Sequence, residues 1–308
     1  MSWQLAYQTM EMALHFEKPV IFNRHPVFYF RSLLGKELFY LICPFRSRMC
    51  ERCTLRFKCA YSFVFESPVT RDNPVLYGRN FASHPFVMSS DVGESQSTER
   101  LNLKMILIGQ AAEYIPIIFW SFIRAGETGI FKNRVRYKID ELKINGQPSF
   151  KDEKLNLPGG PYHWQLLEEE TIKKGKLFLE FLTPVRFKKD GRYLKEMSVE
   201  DVLQAAKRRM EILVGTYGAK DFVRMPFPQI EVFSENAQMQ WKDYVRWSAR
   251  QKRQMRLGGV VGILSVEGQF SAMALSLLKG AEIFHVGKNT SFGLGKIKVT
   301  FVEGEVHG

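Results

Sequence analysis

The order strand, helix, strand, strand, helix, strand runs approximately twice along this chain, and that repetition is the strongest constraint on its fold. In the first half, EMALHFE (11–17) alternates apolar and polar residues as a half-buried strand does. Residues 26–43 carry a broad apolar helical face, with Arg31, Lys36 and Glu37 off it and Pro26 suited to the first turn. LNLKMILIG alternates again, EYIPIIFWSFIRAG is a buried helix, and NRVRYKIDELKINGQ is a strand running into an Asn-Gly turn. Residues 148–176, rich in proline and glycine, form a linker. The pattern then restarts. KLFLEFLTPVRF, QIEVF, GGVVGILSVEG and GKIKVTFV are strands, and FSAMALSLLKGA is a helix. SVEDVLQAAKRRMEILVGTYG is an amphipathic helix whose Ser198 and Asp201 approximate a capping box. The expected fold is α+β, with two tandem ferredoxin-like (RRM-like) domains at 1–147 and 177–308, the first holding a cysteine-rich, metal-binding insertion. Such a fold hosts many functions, so function has to come from sites.

The four cysteines, Cys43, Cys50, Cys53 and Cys59, fall in one segment with six, two and five residues between them. Thiolates at this density point to one metal site, with structural zinc as the simpler occupant and an iron–sulfur cluster as the alternative. Arg46, Arg48, Arg52, Arg56 and Lys58 surround them, to touch RNA or to balance thiolate charge.

A net charge of +12 favours nucleic acid as partner. No secretory signal opens the sequence and its most apolar run, IPIIFWSFI, falls far short of the roughly 20 residues that span a bilayer. A cytoplasmic protein with no membrane partner is expected. Two basic segments stand out. Arg246, Arg250, Lys252, Arg253 and Arg256, interleaved with Trp247, would track phosphates if spread along a hairpin, against the alternative of a solvated charged face. Near the end, HVGKNTSFGLGK sets Gly287, Lys288, Asn289, Thr290, Ser291, Phe292, Gly293, Gly295 and Lys296 between a helix and a strand. Its backbone N–H groups and lysines suit a phosphate or an RNA backbone, and a glycine-dense turn is the plainer reading. The spacing does not match a nucleotide triphosphate loop.

RWSARQKRQMRLGGVVGILSVEG followed by LLKGAEIFHVGKNTSFGLGKIKV resembles the C-terminal half of the CRISPR-associated endoribonucleases that process precursor CRISPR RNA, members of the repeat-associated mysterious protein superfamily. The segment 287–295 looks like that superfamily's signature loop, and EFLTPVRFKKDG resembles the strand opening the second domain. The resemblance implies binding of repeat RNA and metal-independent cleavage by the ribose 2′-OH, leaving a 2′,3′-cyclic phosphate. It also implies a possible CRISPR effector complex as partner. Such a reaction needs a proton acceptor and a cation at the phosphorane. By position relative to the first helix, His25 is the expected base and Tyr29 its substitute, with Arg31 or Lys36 as the cation; a surface histidine beside a helix start competes. His84, before a proline, is read as shaping a turn. The rival functions are a non-catalytic RNA-binding subunit of an effector complex and, on the cysteines alone, an iron–sulfur redox or sensing protein.

Overall fold

A computed structural model describes residues 3–47, 49–157, 159–168, 171–218, 222–248 and 253–304. They divide into two compact units, one built mainly from Leu5–His163 and the other mainly from Trp164–Val214 and Ala219–Gly308.

The first unit is formed by β1 (Gln4–Ile21), α1 (Pro26–Ile42), β2 (Phe86–Ser90), β3 (Ser97–Ile108), α2 (Ile115–Thr128) and β4 (Tyr137–Ile144). Its strands lie in the order β2-β3-β1-β4, antiparallel throughout. Alternation along β1 turns Met10, Met12, Leu14 and Phe16 into the core, the face that α1 and α2 cover. Val27, Phe30, Leu34 and Leu38, three or four residues apart, form the matching stripe on α1. Strand β2, FVMSS, is not among the strands expected from the sequence. Five residues give little period to read, and its pairing of Phe86 with Leu107 through Ser90 with Leu103 supplies the missing strand. Glu37, expected off the apolar face, is only 2% exposed. Its carboxylate is held there by Arg124 of α2 at 2.8 Å and Lys36 at 3.4 Å, which offsets its desolvation.

The segment expected as a linker, 148–176, contains short strands among its described residues. Short strands β5 (Gln147–Pro148), β6 (Phe150–Lys151) and β7 (Lys154–Leu155) precede β8 (Tyr162–Gln165), which pairs with β1.

The second unit contains β9 (Ile172–Val185), the small ribbon β10 (Lys188–Lys189) and β11 (Arg192–Tyr193), α3 (Val199–Tyr217), β12 (Ile230–Lys242), the ribbon β13 (Val245–Ser248) and β14 (Arg253–Arg256), β15 (Gly259–Ser271), α4 (Ala272–Phe284) and β16 (Ile297–Glu303). The main sheet runs β12-β15-β9-β16, again antiparallel. Helix α3 opens on the expected reciprocal cap, with Asp201 N–H donating to Ser198 Oγ (3.2 Å) and Ser198 N–H to Asp201 Oδ2 (3.3 Å). Both folds are mixed α+β with antiparallel sheets. Among the described residues no helix is long and apolar enough to cross a membrane.

Candidate functional site

The glycine-rich loop closes the gap between α4 and β16, and most of it is packed. Val286, Thr290, Ser291, Gly293, Leu294 and Gly295 are buried, while Lys288 is exposed and Gly287, Asn289, Phe292 and Lys296 are half-buried. Thr183 of β9 clamps it, donating to the Gly293 carbonyl and accepting from Lys296 N–H, both at 2.9 Å. The Gly293 N–H donates to the Thr290 carbonyl and the Gly295 N–H to the Pro184 carbonyl. Those two amides therefore serve the loop itself, which corrects the expectation that they face a phosphate. At Gly295, φ is +74° and an added Cβ would lie 1.9 Å from the Val286 carbonyl oxygen, so glycine is required by close approach.

His285 anchors the loop from beneath. It is 3% exposed, and its Nδ1–H donates to the Leu294 carbonyl at 3.2 Å. Burial, with Lys296 and Arg209 nearby, pushes its pKa down to about 3, against the Leu294 bond. It is therefore neutral in the folded protein and protonates in an unfolded chain below about pH 6.5. Since the unfolded state then binds the extra proton, stability falls as pH drops from about 6.5 toward 3. Denaturant melts at pH 5 and pH 7 are expected to show a smaller loss for His285→Asn than for the wild type. Equal losses would rule out His285 as the group responsible.

Val245–Ser248 and Arg253–Arg256 pair as a two-stranded ribbon, Val245 with Arg256 and Arg246 with Met255, which meets the condition set for tracking phosphates. The half-buried Arg246 guanidinium lies over the Phe292 ring at 4.2 Å, so ribbon and loop meet. Arg256 is exposed, and its carbonyl accepts from Arg186. Arg250, Lys252 and the side chains of Trp247 and Arg253 lie outside the described residues. Nothing in the local sequence singles out Tyr193, which is 43% exposed with Arg186 over its ring at 4.7 Å and Lys288 at 5.5 Å. Although partial burial pushes its hydroxyl up, Lys288, Arg186 and Lys188 together pull it below its ordinary value. The exposed product is a cationic surface with aromatic faces, a combination that takes phosphates and stacked bases.

The four residues expected to act together at α1 do not converge. His25 is the N-cap, 7% exposed, with Nδ1 accepting from Val27 N–H at 3.4 Å and its own N–H donating to Glu94. Tyr29 donates to Asn23 Oδ1 at 2.9 Å, and burial raises its hydroxyl. Lys36 pairs with Glu37. Arg31, two residues after Tyr29, projects about 200° away around the helix. There its guanidinium meets His84 Nε2 at 2.8 Å and lies over the Phe65 ring at 5.3 Å. His84 Nδ1 is 3.1 Å from Ser67 Oγ, and its ring stacks on Phe86 at 5.8 Å with planes 9° apart. Sequence reasoning missed this cluster because its members are up to 53 residues apart.

The cysteines line the segment after α1. Cys43 is the C-cap of that helix, Cys50 opens a short turn whose carbonyl accepts from Cys53 N–H, and Cys59 N–H donates to Leu55. All four are half-buried free thiols. Burial, then Glu66 and the Cys59, Cys43 and Cys53 thiols, push Cys50 up to about 11. The four are thus near neighbours with a donor set suited to zinc, yet among the described residues no three form a group that could hold a metal ion. Arg46 lies over Tyr40, and Arg56 over Phe57 and Phe81; Arg48 is outside the described residues.

A family model described as CRISPR-associated endoribonuclease Cas6 matches residues 179–297, the stretch that carries the loop and the ribbon. Over that stretch the chain is similar to the Cas6 family. A second model, described as an N-terminal domain, matches residues 5–158. Among solved structures, a Cas6 product complex is 16% identical, with TM-score 0.56 over 96% of this chain and 99% of that one. Thermus thermophilus Cas6 is 16% identical, with TM-score 0.52 over the same 96% and 99%. A partial Cas6-RT-Cas1–Cas2 complex is 14% identical, with TM-score 0.52 over 98% of this chain and 47% of that one. At these identities the likeness establishes a Cas6 fold. No curated protein matches the chain by sequence.

Proposed function

We propose that this chain cuts CRISPR repeat RNA through attack of a ribose 2′-OH on the adjacent phosphate, with no catalytic metal, giving a 2′,3′-cyclic phosphate and a mature guide RNA. The observation that carries this reading is the coincidence of the family match with the surface formed by Lys288, Phe292, Arg246 and Tyr193. Its cations hold phosphates and its rings take unstacked bases, which is how single-stranded RNA is gripped. The strand orders β2-β3-β1-β4 and β12-β15-β9-β16 support reading each unit as ferredoxin-like. A CRISPR effector complex is the proposed recipient of the product.

The cysteine segment is proposed to hold a structural zinc through Cys43, Cys50, Cys53 and Cys59, with an iron–sulfur cluster as the alternative. Burial, then Glu66 and the Cys59, Cys43 and Cys53 thiols, raise Cys50, and the closeness of the four thiols that this reflects supports the reading, since a bound cation would favour their thiolates. No step of the cleavage passes through it.

Labelled repeat RNA incubated with the protein in EDTA is expected to be cut, and the same RNA with a 2′-deoxy ribose at the cut site is expected to stay intact. Binding without cutting would replace this reading with a non-catalytic RNA-holding subunit. Zinc or iron at one site per chain is expected in the same preparation, and a metal-free protein of full stability would reject the cysteine site.

A further inference from the structure

We propose that His84 is the general base of the cleavage reaction, that Arg31 is the phosphate-binding cation paired with it, and that Ser67 is the positioning residue that fixes the imidazole tautomer. This rests on the endoribonuclease reading and names the residues that would perform it.

The proton positions follow from the hydrogen bonds alone. Ser67 Oγ lies 3.2 Å from the Phe63 carbonyl, which only accepts, so the serine hydroxyl donates there. Ser67 Oγ must then accept from His84, which puts the imidazole proton on Nδ1. The lone pair is left on Nε2, and Arg31, which only donates, is the group that meets it. Along the chain Phe63, Ser67, His84, Arg31, each of these three contacts thus joins one donor to one acceptor. This presents a basic nitrogen beside a guanidinium.

The surroundings hold that arrangement in place. Gly35 lies one helical turn beyond Arg31 on α1, and an added Cβ there would come within 2.9 Å of the Phe65 ring. Its small size lets Phe65 seat against the helix beneath the Arg31 guanidinium. Phe86 stacks on the imidazole from the sheet side. Ser67 is 2% exposed and adopts a left-handed conformation (φ 47°, ψ 54°), a backbone cost that a non-glycine residue bears where its side chain must be aimed. Arg31 and His84 are both half-buried, so the pair is reachable from outside. Ionisable groups around this site include Arg31 from α1, Tyr61 stacked on Phe65, Glu66 beside Ser67, and Tyr217, whose hydroxyl donates to the Ser83 carbonyl.

His25 is the less suited base. Its Nδ1 lone pair faces the backbone N–H of Val27, which is fixed in the helix, whereas the donor on His84 Nε2 is a side chain that a phosphate can draw away.

In the reaction, a scissile phosphate draws the guanidinium into a two-pronged contact and uncovers Nε2. His84 Nε2 then takes the 2′-OH proton as the 2′-oxygen bonds to phosphorus. The bond from phosphorus to the 5′-oxygen breaks, that oxygen takes a proton from water, and His84 returns its own to solvent.

The test is single-turnover cleavage of labelled repeat RNA by the full chain in EDTA, across about pH 5 to 8. The wild-type rate is expected to rise tenfold per pH unit on its acid side and then level off. His84→Asn, whose amide can still reach Ser67, is expected to bind RNA within twofold of wild type, to cut about a hundredfold more slowly, and to lose the acid-side slope. Ser67→Ala is expected to cut about tenfold more slowly with unchanged binding. A His84→Asn protein that cuts at the wild-type rate with the same pH profile overturns the assignment. Should that variant fail to fold, a wild-type rate flat across the range, or a Ser67→Ala protein equal to wild type, overturns it instead. A wild-type protein that binds but never cuts overturns the nuclease reading itself, and His84 with it.

Discussion

Gly295→Ala is expected to destabilise the second unit by roughly 3–5 kcal/mol, enough to unfold a domain of ordinary stability or bring it close to unfolding. Two costs add. A non-glycine residue at φ +74° pays on the order of 1–3 kcal/mol in backbone strain. Its Cβ would also stand 1.9 Å from the Val286 carbonyl oxygen, well inside contact distance. Relief requires the two strands of the loop to part. They are tied by Val286 N–H to the Gly295 carbonyl (2.9 Å) and by Gly295 N–H to the Pro184 carbonyl (3.1 Å), so parting them loses two hydrogen bonds worth about 1 kcal/mol each. The control is Gly191→Ala, where φ is +83° but no atom lies within 4 Å of the new Cβ. It should cost only the strain. Thermal melts are expected to place Gly295→Ala about 10 °C or more below Gly191→Ala. Melting points within 2 °C of each other would mean that the close approach does not constrain the loop.

That glycine shows where a sequence stops being informative. Glycine density beside lysines reads equally well as a phosphate cradle or as a tight packing turn, because both require backbone without a Cβ. Only the tertiary partners, Thr183 and Pro184 more than a hundred residues upstream, reveal that Gly293 and Gly295 serve packing. Local features were legible. The cap of α3 involves Ser198 and Asp201, three residues apart, and the apolar stripe of α1 repeats every three or four residues, so each is written in one short window. Strand β2 was not legible, since five residues carry too little period to separate it from a turn after His84-Pro85.

The catalytic candidates divide along the same line. Proximity along α1 suggested that His25, Tyr29, Arg31 and Lys36 would act together. Helical geometry separates them, because Arg31 points away from Tyr29 and Lys36 stands about 10 Å farther along the axis. Arg31 finds its partner in His84, and that pairing depends on Phe65, Ser67 and Phe86 being carried to α1 by segments of no recognisable period. Glu37 is the converse case. Its position reads as lying off the apolar face, and its burial is explained only when Arg124 meets it from α2.

On the cationic, aromatic surface of the second unit, charge can be separated from packing. Lys288 is exposed and Arg246 half-buried, and their charges sit over Tyr193 and Phe292 respectively. If both contact phosphates, Lys288→Ala with Arg246→Ala removes two of the ions released on binding single-stranded RNA. The slope of log affinity against log salt then becomes shallower by about 0.7 for each contact, or roughly 1.4 in all. Affinity at low salt is expected to fall about a hundredfold, and the two titrations should converge as salt rises, since the lost term is the screened one. Lys288→Gln with Arg246→Gln should behave alike, because it keeps the stems that cover the rings while removing the charge. A parallel downward shift with unchanged slope would instead mean that the substitutions disturb the loop, and would take phosphate contact away from these two side chains.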